Sequence, residues 1–387
     1  MRTGSPSLTA RWVAALRAAH QELEGGSVFR DPLAVRALGE DATELTPESA
    51  GASGRSALRL SVAARARFAE DALADAVGRG VRQMVVLGAG LDTFAYRNPH
   101  EAAGLRVFEV DHPATQRWKR ERLAAAGIAL PPSLTFAPVD FERSGEAARS
   151  GEAARSGEAA RSGEAARSGE AARSGEAARS GEAARSGEAA RSGETARSGE
   201  TARSGETARS AAAEPGGRAG WDGTTARTGT AAPRGSAGAG GLEEGLAAAG
   251  FDPGSPAFVS WLGVVPYLTR DSAFATLRYL AGLPGGVEVV FDFSEPPAAW
   301  PAELRAVLEN MTTRLAAIDE PVRCYYTPAE LTADLGGIGF SRVETHCFAD
   351  LVAQYAQHAR QCADGTMSRV GHLVHAATSL RPAASRA

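Results

Sequence analysis

The sequence has 387 residues, a formal net charge of −4 and only three cysteines. This slightly acidic balance, without a basic stretch interleaved with aromatic residues, argues against nucleic acid as a partner. No run of about eighteen apolar residues and no signal-peptide core are present, so we expect no membrane span and a cytoplasmic protein. The wide cysteine spacing indicates reduced thiols rather than a disulfide framework or a zinc site.

Apolar periodicity predicts two helices, at 8–20 and 56–79, ahead of the first strand. We expect these two helices to form an N-terminal helical cap on the domain.

The first predicted strand begins at Met84 and runs into a turn formed by Gly88, Ala89 and Gly90. A turn at the end of a buried parallel strand must bend sharply and let a ligand approach the main chain, which a Cβ would block. The pattern predicts a nucleoside-binding turn, and a purely structural turn is the alternative. In dinucleotide-binding proteins a third Gly or Ala follows three residues later, but Thr93 stands at that position.

The second predicted strand ends in a carboxylate about twenty residues after the turn, as in nucleoside-binding α/β half-domains. Glu109 and Asp111 both lie near the required distance. A carboxylate that binds ribose hydroxyls belongs at the tip of the strand, which favours Asp111. The alternative for Asp111 is an N-cap of the helix that His112 and Pro113 begin.

A third strand is predicted at 134–139, and a long repeat follows it. Residues 143–208 are eleven copies of a six-residue unit, Arg-Ser-Gly-Glu-Ala-Ala or Arg-Ser-Gly-Glu-Thr-Ala, and Ala, Gly, Thr and Pro dominate 210–241. Each unit is neutral and lacks a large apolar side chain, so it cannot build a core. We therefore expect a disordered insertion at 143–241 within one discontinuous domain, formed by 1–142 and 242–387.

The rest of the chain alternates between helices and strands. This alternation predicts an α/β fold, a doubly wound and mostly parallel sheet covered by helices, with ligands at the C-terminal ends of the strands. The predicted helices lie at 113–127, 270–282, 300–316, 328–336 and 350–363, and the further strands at 258–262, 287–293 and 341–348. His372 and His375 could share a helix face, but without a carboxylate partner we expect no metal site.

These motifs resemble the leucine carboxyl methyltransferase-like family of class I S-adenosylmethionine-dependent methyltransferases, in particular its bacterial and polyketide O-methyltransferase branch. The resemblance implies a Rossmann-like fold, S-adenosyl-L-methionine as the methyl donor, and methylation of a carboxylate or hydroxyl of a small molecule. The stretches that carry it are Phe29 to Ala34, Ala64 to Asp71, Val86 to Arg97, Phe108 to Pro113 and Phe258 to Thr269.

The resemblance also implies roles for single residues in donor binding. The turn of Gly88, Ala89 and Gly90 would hold the methionine part and ribose, and Asp111 would bind the ribose hydroxyls. Asp140 and Phe141 would flank the adenine. Arg65 would pair with the donor carboxylate, with Arg67 as the alternative for that role.

The resemblance says less about the binding of the methyl acceptor than about the binding of the donor. Better-known carboxyl methyltransferases of this group carry a Glu where Leu262 stands, so the resemblance does not imply the substrate of the protein-methylating relatives. The resemblance implies a pocket roofed by the N-terminal helices and the region around Trp261, Tyr267 and Trp300, with core packing as the alternative for each aromatic residue.

No residue is assigned a catalytic role. Asp292, His112 and His346 are conceivable bases, and each also has an ordinary structural explanation. Two other functions stay open, an NAD-dependent oxidoreductase that uses the same half-domain and a non-catalytic protein that binds partners through the repeat.

Overall fold

The computed structural model describes residues 7–39, 53–140, 241–355 and 369–379. Within them a seven-stranded sheet has the strand order β3-β2-β1-β4-β5-β7-β6. All neighbouring pairs are parallel except those of β7, which runs antiparallel to β5 and β6. The strands are β1 (Gln83–Leu87), β2 (Arg106–Asp111), β3 (Leu134–Pro138), β4 (Ala257–Trp261), β5 (Val287–Ser294), β6 (Arg342–Cys347) and β7 (Gly371–Ala377).

Helices cover both faces of this sheet, which confirms the predicted α/β Rossmann-like fold. In chain order they are α1 (Leu8–Glu24), α2 (Ala34–Leu38), α3 (Ser53–Gly78), α4 (Pro113–Ala125), α5 (Leu242–Ala248), α6 (Arg270–Ala281), α7 (Ala302–Ala317), α8 (Pro328–Gly337) and α9 (Phe348–Tyr355). None of the helices in the described ranges combines the length and apolarity that a membrane span requires.

The central strands are buried along their whole length because helices cover both of their faces. Every residue of β1 and of β4 is buried, as expected for parallel strands whose sequence is almost continuously apolar. Side chains from the two faces form two large core clusters, one around Val85, Val259 and Phe291 and the other around Val86 and Phe258. This rigid centre fixes the tips of β1, β2 and β4 next to one another.

The chain on the two sides of the predicted insertion meets in one core. Leu242 and Leu246 of α5 belong to the same cluster as Val139, which follows β3. A Cβ added to Gly245 would lie 2.5 Å from Val139 Cγ2, so only glycine lets α5 approach this closely. The repeat lies outside the described residues, and the extent proposed for the insertion, 143–241, stays a prediction.

The C-terminal part of the fold corrects one prediction. His372 and His375 do not share a helix face, because they lie on β7. Three residues apart on a strand, they point to opposite faces. His372 Nε2 lies 2.5 Å from Glu295 Oε1, and His375 Nε2 lies 3.1 Å from Glu288 Oε2. A short apolar run does not by itself distinguish a strand from a helix, and pairing with β5 and β6 decides the outcome here.

Candidate functional site

A cavity of about 320 Å³ lies at the C-terminal ends of β1, β2 and β4 and beneath α1. Six of the seven residues predicted to bind the donor line it, and the seventh, Phe141, lies outside the described residues. The structure thus brings together residues from α3, the glycine turn and the ends of β2 and β3. The six are Arg65, Gly88, Ala89, Gly90, Asp111 and Asp140.

The glycine turn, residues 88–90, has a backbone that requires glycine at both ends. Gly88 has φ of +63° and Gly90 has φ of +44°, values that residues with a Cβ rarely adopt. The turn is held against β2 because the N–H groups of Gly88 and Ala89 both donate to the Val110 carbonyl, at 2.8 and 3.1 Å. A Cβ on Gly88 would also collide with the Val264 side chain. The space beside Gly88 is thus taken by Val264, and a Cβ on Gly90 would lie 3.1 Å from Ala10 Cβ of α1.

Asp111 connects the tip of β2 to the turn. Its Oδ2 accepts the Gly90 N–H and its Oδ1 accepts the His112 N–H, each at 2.6 Å. Burial nevertheless raises the pKa of the Asp111 carboxyl above its usual value, against the effect of these two hydrogen bonds. The N-cap alternative for Asp111 is wrong, since His112 caps α4 by accepting the Ala114 N–H at its Nδ1, 3.1 Å away.

A polar network behind the turn explains why Thr93 replaces a third glycine. Thr93 is fully buried, and its hydroxyl donates to Asp31 Oδ2 at 2.7 Å. Arg97 lies 3.5 Å from the other oxygen of Asp31 and also pairs with Glu70 on α3. Only a short 3-10 helix, residues 94–97, follows the turn. The described chain therefore has no long helix N-terminus at the place where dinucleotide-binding proteins hold a pyrophosphate.

Arg65 on α3 is fixed by the end of β5. Its Nη1 donates to Asp292 Oδ2 at 2.5 Å, and the other oxygen of Asp292 accepts the Gly263 N–H at 2.5 Å. A Cβ on Gly263 would lie 2.9 Å from Arg65 Nη2, so the glycine makes room for the guanidinium. Arg67 instead pairs with Asp71 on the exposed face of α3. Of the two arginines considered for the donor carboxylate, Arg65 is the one that lines the cavity.

Helix α1 covers the cavity and is held at both ends. Near its N-terminus, Glu320 accepts the N–H groups of Leu8 and Thr9, each at 2.9 Å. Further along, Arg17 donates to the Leu91 carbonyl at 2.5 Å and to Asp92 Oδ2 at 3.3 Å. These contacts join the helix to two segments that are distant in sequence.

The three aromatic residues predicted around an acceptor pocket lie in three different surroundings. Tyr267 lines the cavity and is hydrogen-bonded to the Thr9 side chain, and burial raises the pKa of its phenol to about 12. Trp261 is fully buried in the core beside Phe291, and Trp300 packs in a separate cluster on α7. For the two tryptophans, core packing is therefore the correct explanation.

None of the three conceivable bases is placed as a free base in the described part of the chain. Asp292 is engaged by Arg65 and by the Gly263 N–H. His112 lines the cavity but accepts a backbone N–H at Nδ1. His346 is absent from the cavity wall and packs against Phe68 with ring centroids 4.7 Å apart.

A buried ion pair joins β2 to α4, and its carboxylate, Glu109, stands two residues before Asp111. Glu109 Oε2 lies 2.7 Å from Lys119 Nζ of α4, and both side chains are almost completely buried. The Tyr96 hydroxyl donates to the same oxygen at 3.2 Å. Burial outweighs the attraction of Lys119 and raises the pKa of Glu109 to about 7. Glu109 is therefore part of the support of the cavity, whereas Asp111 is part of its surface.

Sequence reasoning missed several residues that line the cavity. Asp92 lies two residues after the glycine turn and could have been suspected from that position. Arg17, Thr115 and Glu320 carry no motif, and only the packing of α1, α4 and the segment after α7 brings them to the site.

Comparison with known proteins gives the following similarities. The family model for leucine carboxyl methyltransferase matches residues 10–151 and 239–281. A Bacillus subtilis protein, YktD, provisionally named an S-adenosyl-L-methionine-dependent methyltransferase, is 47% identical over 81 residues, which are 21% of this chain and 27% of that protein. A protein of Mycobacterium sp. strain JLS with the same provisional name is 38% identical over 151 residues, 35% of this chain and 48% of the relative.

A third relative, from Streptomyces coelicolor and again provisionally named a methyltransferase of this kind, is 40% identical over 116 residues. These cover 29% of this chain and 40% of that protein. The chain thus spans about half or less of the length of these curated relatives.

Proposed function

We propose that this chain, which belongs to the leucine carboxyl methyltransferase-like family, transfers a methyl group from S-adenosylmethionine to an oxygen of a small molecule. The observation that carries the proposal is the convergence of the glycine turn, Asp111, Asp140 and Arg65 on one cavity. Its volume of about 320 Å³ is at the lower end of the range for small-molecule sites.

The residues present suit such a donor. Gly88 and Gly90 line the cavity, and their positive φ angles shape the turn against which such a donor would lie. Asp111 can accept hydrogen bonds from ribose hydroxyls, and Asp140 can accept one from an adenine amino group. Arg65, already oriented by Asp292, offers further N–H groups to a carboxylate. When bound, the donor supplies an electrophilic methyl group on a sulfonium.

The protein's contribution would be alignment and exclusion of water. Apolar side chains form much of the cavity wall, among them Val13, Val62 and Leu262. Tyr267, with its raised pKa, stays protonated at neutral pH and can donate a hydrogen bond to an acceptor oxygen.

A carboxylate is the acceptor that this wall favours. A carboxylate is ionised at neutral pH and needs no base, whereas a phenol, with a pKa near 10, benefits from one. Asp292 and His112 are engaged in other hydrogen bonds, so neither is free to act as a base towards a phenol. A hydroxyl acceptor remains the second candidate.

The decisive experiment is isothermal titration of the protein with S-adenosylmethionine, S-adenosylhomocysteine and NAD. We expect saturable binding of the first two and none of NAD. Asp111→Ala should weaken binding about 10–100-fold, because a hydrogen bond to a charged group contributes about 1.5–3 kcal/mol. The matched control Asp271→Ala changes an exposed carboxylate on α6 and should bind like the wild type. NAD binding without donor binding would establish an oxidoreductase instead.

A deletion separates the proposal from an interaction function of the repeat. A chain without residues 143–241 should fold and keep its affinity for S-adenosylhomocysteine, because the flanks of the insertion meet in one core. Loss of that affinity in a folded deletion variant would contradict the proposal that the repeat is dispensable for donor binding.

A further inference from the structure

One buried hydroxyl in the wall of the cavity has no hydrogen-bond partner among the described residues. Thr115 lies in the first turn of α4, is 1% exposed and lines the cavity. Its Oγ1 neither donates nor accepts a hydrogen bond within the described structure. A buried hydroxyl without a partner costs free energy, so most such groups in proteins are satisfied.

Two other buried helical hydroxyls in this protein have a hydrogen-bond partner, because each donates to the carbonyl four residues earlier. Ser61 donates to Ala57 at 2.8 Å, and Thr276 donates to Ser272 at 3.2 Å. For Thr115 the equivalent carbonyl is that of Asp111, which precedes the helix and accepts the Val139 N–H at 2.9 Å. The Thr115 hydroxyl does not make this hydrogen bond to the Asp111 carbonyl.

Asp111 and Thr115, four residues apart in the chain, both line the cavity and offer complementary hydrogen bonding. The Asp111 carboxylate accepts hydrogen bonds, and the Thr115 hydroxyl is a donor as well as an acceptor. A ribose hydroxyl can donate to a carboxylate and accept from a second hydroxyl at the same time.

We propose that Thr115 is a positioning residue for the donor, whose hydroxyl donates to a ribose hydroxyl that Asp111 binds. This inference rests on the proposed function. It adds to that function a residue which no motif indicates and a defined hydrogen bond. Donor binding would give the buried Thr115 hydroxyl a hydrogen-bond partner that the described residues do not supply.

The test compares Thr115→Val with Thr276→Val, two substitutions that replace a buried threonine hydroxyl by a methyl group on a helix. The measurements are the dissociation constant for S-adenosylhomocysteine and the thermal midpoint of the unliganded protein. For Thr115→Val we expect about 3–10-fold weaker binding and a midpoint that does not fall, because an unsatisfied hydroxyl is removed. For Thr276→Val we expect unchanged binding and a lower midpoint, because a made hydrogen bond is lost.

A second titration assigns the hydrogen bond to the ribose. The weakening by Thr115→Val should appear with adenosine and disappear with either 2′-deoxyadenosine or 3′-deoxyadenosine. Equal weakening with all three nucleosides would overturn the ribose assignment.

The outcomes also separate this inference from the proposed function. Wild-type affinity in Thr115→Val, in a protein that binds S-adenosylhomocysteine, would refute the role of Thr115 and leave the methyltransferase proposal standing. Absence of binding to the wild-type protein would refute both.

Discussion

The two walls of the cavity differ in how far apart in the chain their residues lie. The strand-tip wall consists of the glycine turn and the end of β2, which are about twenty positions apart and hydrogen-bonded through the Val110 carbonyl and the Asp111 carboxylate. The roof consists of α1, residues 262–268 and residues 319–323. A hydrogen bond from the Leu8 N–H to the Glu320 carboxylate holds this roof together, and the two residues are 312 positions apart.

This difference separates recognition of a common ligand from recognition of a particular substrate. Backbone contacts at strand tips tolerate few changes, because a φ near +60° and close approach both require glycine. Contacts in the roof are made by side chains on a helix and on a loop, which can vary without disturbing the sheet. We therefore expect substitutions in the strand-tip wall to affect the fold and donor binding together, and substitutions in the roof to affect mainly ligand exchange.

The largest effect is expected at the glycine turn. Gly88→Ala adds a Cβ at φ +63° and against the Val264 side chain. We expect a loss of about 1–3 kcal/mol in the free energy of unfolding and at least tenfold weaker S-adenosylhomocysteine binding, measured by urea denaturation and by titration. Gly104→Ala is the matched control, because it has φ +79° and nothing within 4 Å of the added Cβ. Gly104→Ala should lower the free energy of unfolding through its backbone strain and leave the affinity for S-adenosylhomocysteine unchanged. Equal affinities for Gly88→Ala and Gly104→Ala would contradict the difference proposed between the two walls.

A smaller effect, in pH dependence, is expected beneath the same wall. The pKa of Glu109 is raised to about 7 in the folded protein, so its contribution to stability is greatest below about pH 4.5 and is lost as pH rises towards 7. Replacing both members of the Glu109–Lys119 pair, by Glu109→Gln with Lys119→Met, should remove this decline in the free energy of unfolding with rising pH. Urea denaturation of the wild type and the double variant between pH 4.5 and 7.5 measures the free energy of unfolding.

Glu288 on β5 supplies the opposite control. His375 and Arg79 outweigh the effect of burial and lower the pKa of Glu288, so its contribution is present above about pH 4.5 and is lost as pH falls. Glu288→Gln should therefore flatten the acid side of the stability profile. The same change of slope in both variants would rule out the opposite roles of the two buried glutamates.

The smallest effect on stability is expected in the roof. Glu320→Gln replaces a carboxylate that accepts two backbone N–H groups by an amide with one acceptor oxygen. We expect a loss of about 0.5–1 kcal/mol and several-fold faster release of S-adenosylhomocysteine in stopped-flow measurements, because the N-terminus of α1 is held less firmly. Glu303→Gln, an exposed change on α7, is the control. Unchanged release from Glu320→Gln would show that α1 does not limit exchange.

Most of the sheet could be predicted because its strands are local apolar runs that end in glycine or carboxylate. The turn at Gly88 and Gly90 and the carboxylate of Asp111 follow from the requirements of a buried parallel strand tip, and those requirements are visible within about thirty residues of sequence. The strand at 371–377 was not predicted, because a short apolar run is ambiguous until β5 and β6 pair with it.

By itself, the sequence determined the α/β class, the order of most elements and the strand-tip wall, since each depends on local periodicity and backbone conformation. Only the tertiary structure decided that Arg65 rather than Arg67 lines the cavity, that Trp261 packs in the core, and that Thr115 and Glu320 lie at the site. The physical reason is that burial and partners for these side chains come from elements up to 312 positions away. No local pattern encodes such contacts.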